Sequence, residues 1–219
     1  HNALDIIDTV AALFHECQLM DKKDFLKLDL DEQAAILSKW LEDEEVLKLC
    51  DKKALVEFKE EKTAIRILGR LRVIGENPDM CEKMIVAETT HPAHALAALL
   101  LLKITGNHIG NEQSRIDLVI LSESVADLVG IGHTLEVLLE NKSFRQHVAS
   151  RGRLIAMIAK SDTTRQDGRG EAEYAQYEAA VDVYRRIDLM KRKYYELEPV
   201  LVSIKNGGGH ALQRGGGRI

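Results

Sequence analysis

The sequence predicts a helix-rich α/β protein, a partial (β/α) barrel-like parallel sheet preceded by an all-helical layer. Three observations predict it. Residues 1–75 carry apolar positions at helical spacing only; from about residue 83 short apolar runs alternate with helical segments; and the turns after those runs gather carboxylates, an arginine and glycines. The expected organisation is a helical segment over 1–75 followed by βα units over 76–219, in one continuous domain.

In the first part, Leu4, Ile7, Val10, Ala11 and Phe14 recur at helical spacing, so Ala3 to Gln18 reads as an amphipathic helix. Leu30 to Leu41 and Ala54 to Leu71 continue the pattern. Asp31 and Glu32 suit the positive N-terminal end of the second helix.

In the second part, Lys83 to Ala87, Ile116 to Leu121, Leu154 to Ala159 and Val200 to Ile204 have the length and near-continuous apolarity of strands buried on both faces. Helical segments at Ala93 to Ile104, Val125 to Glu140 and Glu171 to Tyr195 follow the first three. Strand-then-helix alternation implies a parallel sheet. The segment from Ala93 to Leu102 is apolar on all sides and demands cover all round. The sequence stops soon after the fourth strand, without the helix the pattern calls for, and a fragment of a longer polypeptide is expected.

Composition narrows the functional classes. At 219 residues and 45% hydrophobic content the chain can build its own core without disulfide or metal staples. A net charge of -5 argues against a general nucleic-acid surface. The longest apolar run, Ala95 to Leu102, falls short of the ~20 residues of a membrane span, so a cytoplasmic protein without a membrane partner is expected. Cys17, Cys50 and Cys81 are widely spaced and odd in number, which fits buried thiols better than a disulfide framework or a zinc site. The basic stretch Arg185 to Lys193 reads as a solvated helix end.

In parallel α/β folds ligands sit at the carboxyl ends of the strands. Those ends carry Glu88 to His91, Ser122 to Ser124, Ser161 to Arg165 and Lys205 to His210. Glu123 and Asp162 occupy equivalent places on successive strands, and converging carboxylates suit a hard divalent cation; each would equally cap the helix that follows it. Arg165, in the loop of Asp162, offers a planar fork to a phosphate or carboxylate, and would look the same as a surface arginine. Six of the fifteen glycines fall in Gly207 to Gly209 and Gly215 to Gly217, where bare backbone N–H groups can form an anion nest beside Arg214; a flexible tail is the alternative. No Lys-Ser or Lys-Thr follows them, which excludes a nucleotide P-loop. His91, His94 and His210 are further acid–base candidates, although a lone histidine is more often structural.

Taken in order, these loops resemble phosphoenolpyruvate carboxylase. Leu121-Ser-Glu123-Ser-Val-Ala-Asp-Leu128 is similar to the family's Leu-Phe-Glu-Thr-Leu-Asp-Asp-Leu, and Ser161-Asp162-Thr-Thr-Arg165-Gln-Asp-Gly168 to its Ser-Asp-Ser-x-Lys-Asp-x-Gly. The tail is similar to its His-Gly-Arg-Gly-Gly-x-x-x-Arg-Gly-Gly-Gly element, and Val86 to Gly106 to the strand, turn and apolar helix before the metal-binding glutamate. The resemblance implies formation of oxaloacetate and phosphate from phosphoenolpyruvate and bicarbonate. It also implies Mg2+ or Mn2+ on Glu123 and Asp162, catalytic Arg165 and Arg214, and substrate contacts at Asn206, Gly207, Gly208, Gly209, Arg214 and Gly215. Arg165 stands where the family has lysine, and the glycine element lacks the family's histidine and first arginine. Two functions are therefore expected in competition: a carboxylating enzyme, or a family member that binds or assembles without turnover. A homo-oligomer, or assembly with the rest of a longer chain, is expected. A purely helical interaction module is disfavoured by the four strand-like runs.

Overall fold

The computed structural model describes residues 2–55, 61–109, 113–123, 125–158 and 169–206. Its first helix, α1 (Ala3–Glu16), begins where the Asn2 side chain accepts the Leu4 N–H at 2.8 Å. Ile6, Val10, Leu13 and Phe14 of α1 are fully buried, whereas Leu4 is left 66% exposed on the outer side. α2 (Lys22–Lys27) is a short turn capped by Asp21, and α3 (Leu30–Leu41) opens on a complete capping box in which Asp29 and Glu32 satisfy each other's backbone N–H groups. Phe14 binds these helices together, edge-on to Phe25 at 5.2 Å and to Trp40 at 4.2 Å between ring centres.

The expected helix from Ala54 to Leu71 is instead divided between the end of α4 (Glu44–Leu55) and α5 (Lys62–Glu76). Glu61, at φ -95° and ψ 80°, is neither helical nor extended and precedes α5. Cys17 and Cys50 are buried as expected, with sulfurs 3.7 Å apart between the end of α1 and α4; Cys81 is only half-buried.

All four expected strands form, as β1 (Lys83–Val86), β4 (Asp117–Ser122), β5 (Arg153–Ile158) and β6 (Leu201–Asn206). A two-residue hairpin, β2 (His108–Ile109) with β3 (Gln113–Ser114), intervenes. The four strands make a parallel sheet in the order β1-β4-β5-β6, which is chain order, each neighbour joined through helices. The crossovers are α6 (Pro92–Ile104), then α7 (Val125–Glu140) with α8 (Lys142–Arg151), then α9 (Arg169–Lys193). α8 has no counterpart in the sequence expectation; Asn141 caps its start through the Phe144 N–H, and Gly152, at φ 65°, ends it in the left-handed conformation.

Every residue from Pro92 to Leu102 is buried, and α6 is enclosed by α1, α3, α4, α5 and α7 together with β1 and β4. This is the cover its all-round apolarity demanded. β4 is buried from Asp117 to Ile120 without alternation, so both its faces are covered, while Leu201 at the start of the edge strand β6 is 73% exposed. The basic end of α9 is engaged in ion pairs: Arg186 with Glu136 and Asp182, Lys193 with Glu140, and Arg192 with Asp188. Among the described residues no helix is long and apolar enough to cross a membrane.

Candidate functional site

Parallel register decides which loops begin together. Ser122 pairs with Ile158, and Ile158 with Asn206, so the last residues of β4, β5 and β6 form one row at the carboxyl edge of the sheet. Glu123 follows the first of these residues directly, the segment containing Asp162 and Arg165 leaves from the second, and the glycine run leaves from the third. Glu123 and the backbone of Asn206 are described. Asp162, Arg165, Gly207, Gly208, Gly209, His210, Arg214 and Gly215 lie outside the described residues.

The loop after β1 bends over the same edge. Thr89 donates its N–H to the Leu121 carbonyl at 3.3 Å and its hydroxyl to the Val86 carbonyl at 2.9 Å. Glu88 adopts φ 56°, uncommon for a residue with a side chain, and its carboxylate accepts the Asn2 side-chain amide at 2.6 Å. The start of α1 is tied there too, because the Ala3 N–H donates to the Ala87 carbonyl at 3.0 Å. The β1 end is thereby fixed beside Ser122.

The two described histidines of this edge are engaged by the backbone. His91 Nδ1 accepts the Ala93 N–H at 3.2 Å and caps α6, while Nε2 faces Asp31 at 3.2 Å. His94 Nδ1 accepts the Thr90 N–H at 3.3 Å. Burial, aided by the neighbouring His91, pushes the His94 pKa down to about 4. Both rings hold the turn between β1 and α6, which speaks against the acid–base role entertained from sequence.

A divalent cation is tested by the oxygen donors on offer. Ser122 is fully buried and its hydroxyl has no hydrogen-bond partner among the described residues, and Glu123, half-buried, comes next in the chain. Carboxylate and hydroxyl oxygens are the hard donors that Mg2+ or Mn2+ prefers. The donor type at this edge fits such an ion. Among the described residues no group of three His, Cys, Asp or Glu is arranged to hold a metal, so a complete site needs donors from elsewhere.

Two features away from this edge escaped the sequence reading. Asp117, 2% exposed at the start of β4, lies between Arg151 (2.5 Å) and Arg153 (2.8 Å). A cavity of about 580 Å3 opens near the opposite end of α6, lined by residues of α4, α5, α6 and β2. Isolated charges in sequence carry no signal of either, because both gather residues from distant elements.

The phosphoenolpyruvate carboxylase family model matches residues 3–218. The phosphoenolpyruvate carboxylase of Thermus sp. (strain 71) is 31% identical over 195 residues, which cover 89% of this chain and 21% of that protein. That of Roseiflexus castenholzii is 30% identical over 159 residues, 70% of this chain and 16% of the relative, and that of Acinetobacter baylyi 25% identical over 196 residues, 89% and 19%. The chain thus spans about a fifth of the length of the curated relatives it matches. With a match running over nearly its whole length and the loop order described above, this chain belongs to the phosphoenolpyruvate carboxylase family.

Proposed function

We propose that this chain contributes the metal-binding and phosphate-binding edge of a phosphoenolpyruvate carboxylase, which forms oxaloacetate and phosphate from phosphoenolpyruvate and bicarbonate. The observation that carries this reading is the row Ser122, Ile158 and Asn206, from which the three family loops depart side by side. Glu123 and Asp162 would hold Mg2+ or Mn2+, whose charge offsets negative charge as it develops on the substrate oxygen. Arg165 and Arg214 bind the phosphate and carboxylate oxygens through paired N–H groups, and the backbone N–H groups of Gly207 to Gly209 and Gly215 close around the same anion. Asn206 orients the glycine run as it leaves the sheet.

Both outer strands, β1 and β6, are sheet edges among the described residues, where further polypeptide or further copies could pair. In this reading the site is completed by that assembly. Titrating the 219-residue chain with Mn2+ and following water-proton relaxation tests the ion directly. Glu123→Gln and Asp162→Asn are each expected to abolish saturable Mn2+ binding, and in the complete polypeptide to lower oxaloacetate formation on the order of a hundredfold or more. Undiminished binding and turnover in Asp162→Asn would remove Asp162 from the site.

Arg165 in place of the family's lysine, and the missing histidine and first arginine, favour a second reading in which the protein binds a metal and a phosphorylated acid without turnover. Robust bicarbonate-dependent turnover by the complete polypeptide would exclude it.

A further inference from the structure

The cavity at the far end of α6 is built by elements that meet only in the fold. α6 starts beside the carboxyl edge of the sheet and delivers Lys103, Thr105 and Gly106 to the opposite end, where Leu47, Lys48 and Asp51 of α4, Arg72, Gly75 and Glu76 of α5, His108 of β2 and Arg115 complete the wall. Four cationic side chains line it against two carboxylates. Lys48 is neutralised by Glu44 and Glu45, at 3.5 and 3.8 Å, and Arg72 by Asp51 at 3.3 Å. Lys103 and Arg115 have no carboxylate at ion-pair distance among the described residues. Lys103 Nζ reaches only the Leu41 carbonyl at 3.5 Å, and Arg115 donates to the Gly75 and Gly106 carbonyls at 2.8 and 3.3 Å.

Unpaired donors concentrate here as well. Among the described residues, Arg72 Nε and His108 Nδ1 are buried with no hydrogen-bond partner. The other nitrogen of His108 faces Nδ1 of the buried His147 at 3.3 Å, a contact in which one ring donates and the other accepts. With His147 as the donor, His108 carries its own proton on Nδ1, the atom that lacks a partner. Buried donors without acceptors are rare in folded proteins, and an acceptor with several negative oxygens would satisfy them together.

We propose that this cavity is a binding site for a phosphate monoester dianion, held by Lys103, Arg115 and the His108 N–H. The phosphate lies between Lys103 and Arg115, and the remaining volume of the cavity takes the organic part of the ester. Burial holds the Lys103 ammonium below its usual pKa, and a bound dianion reverses that penalty. The site is separate from the carboxyl-edge loops, being at the other end of α6.

The test is 31P NMR titration of inorganic phosphate into the 219-residue chain at constant ionic strength, with chloride as the control anion. Saturable binding is expected, weakened at least roughly tenfold in Lys103→Met, by loss of one charge-assisted hydrogen bond. It should be retained in Arg214→Met, which separates this site from the proposed substrate site. Where Lys103→Met fails to fold by circular dichroism, reductive methylation of the unmodified chain decides: phosphate protects Lys103 if the proposal holds. Absence of saturable binding, loss of binding in Arg214→Met rather than Lys103→Met, or methylation of Lys103 unaffected by phosphate would each overturn it.

Discussion

Asp117 shows what a single buried charge does in this fold. Both carboxylate oxygens meet arginines: Arg151 donates a hydrogen bond at 2.5 Å, and Arg153 Nε lies 2.8 Å away without hydrogen-bond alignment. The Asp117 backbone N–H also donates to the Glu82 carbonyl at 2.8 Å, so the same residue joins β4 to the chain entering β1. Asp117→Asn keeps the shape and removes the charge, leaving two partly buried guanidinium groups facing each other. Urea denaturation should show a loss of about 3 kcal/mol, the low end for breaking a buried ion pair because both arginines retain some water contact. A loss below about 0.5 kcal/mol, the scale of an ordinary surface substitution, would show that the triad contributes nothing net. In the sequence, Asp117 is one polar residue before an apolar run; neither arginine is near it in the chain.

Among the elements, the strands were the most legible, because a strand buried on both faces is a continuous apolar run whatever surrounds it. β4 and β5 lie within a residue of the expected limits at most ends. Helices with weak amphipathic patterning were harder: α8, mostly polar, is marked in sequence only by Asn141 at its start and Gly152 at its end. The expected helix across 54–71 joined two helices because both share apolar spacing, and spacing alone does not report where one helix ends and the next begins. The end of α5 illustrates a close approach that only the packed elements reveal. A Cβ on Gly75 would run into the Thr105 carbonyl oxygen and approach Gly106 to 3.1 Å. Since the obstacle is backbone, Gly75→Ala should separate α5 from the end of α6 and destabilise the protein by about 1–3 kcal/mol, read as a lower midpoint in urea. An unchanged midpoint would mean that this contact yields freely.

At the scale of the whole molecule, three histidines from α6, β2 and α8 tie global stability to pH. Burial pushes His94 to about 4, assisted by His91; it pushes His108 and His147 to about 3, assisted for His108 by His147 and Lys103 and for His147 by Arg151 and Lys103. Their folded pKa values lie below the ordinary value near 6.5, so the unfolded chain takes up protons that the folded chain refuses. Stability is therefore full above about pH 6.5 and falls as the pH drops toward the folded values. His147 alone should contribute about 1.4 kcal/mol per pH unit well inside that window. Urea midpoints measured from pH 7 to pH 5 should fall steadily, and less steeply in His147→Gln. A flat profile over that range would show that these rings reach solvent in the folded protein.

The sequence by itself determined the α/β class, the four strands, the enclosed α6 and the order of the loops, since each is written in local periodicity or in contiguous motifs. It also placed Glu123 at a strand end, where the structure finds it. Tertiary structure alone decided the row Ser122, Ile158 and Asn206, the engagement of His91 and His94 by the α6 turn, the Asp117 triad and the cavity around Lys103. These depend on strand register and on helices converging from separate parts of the chain, and neither is encoded in any one stretch of residues.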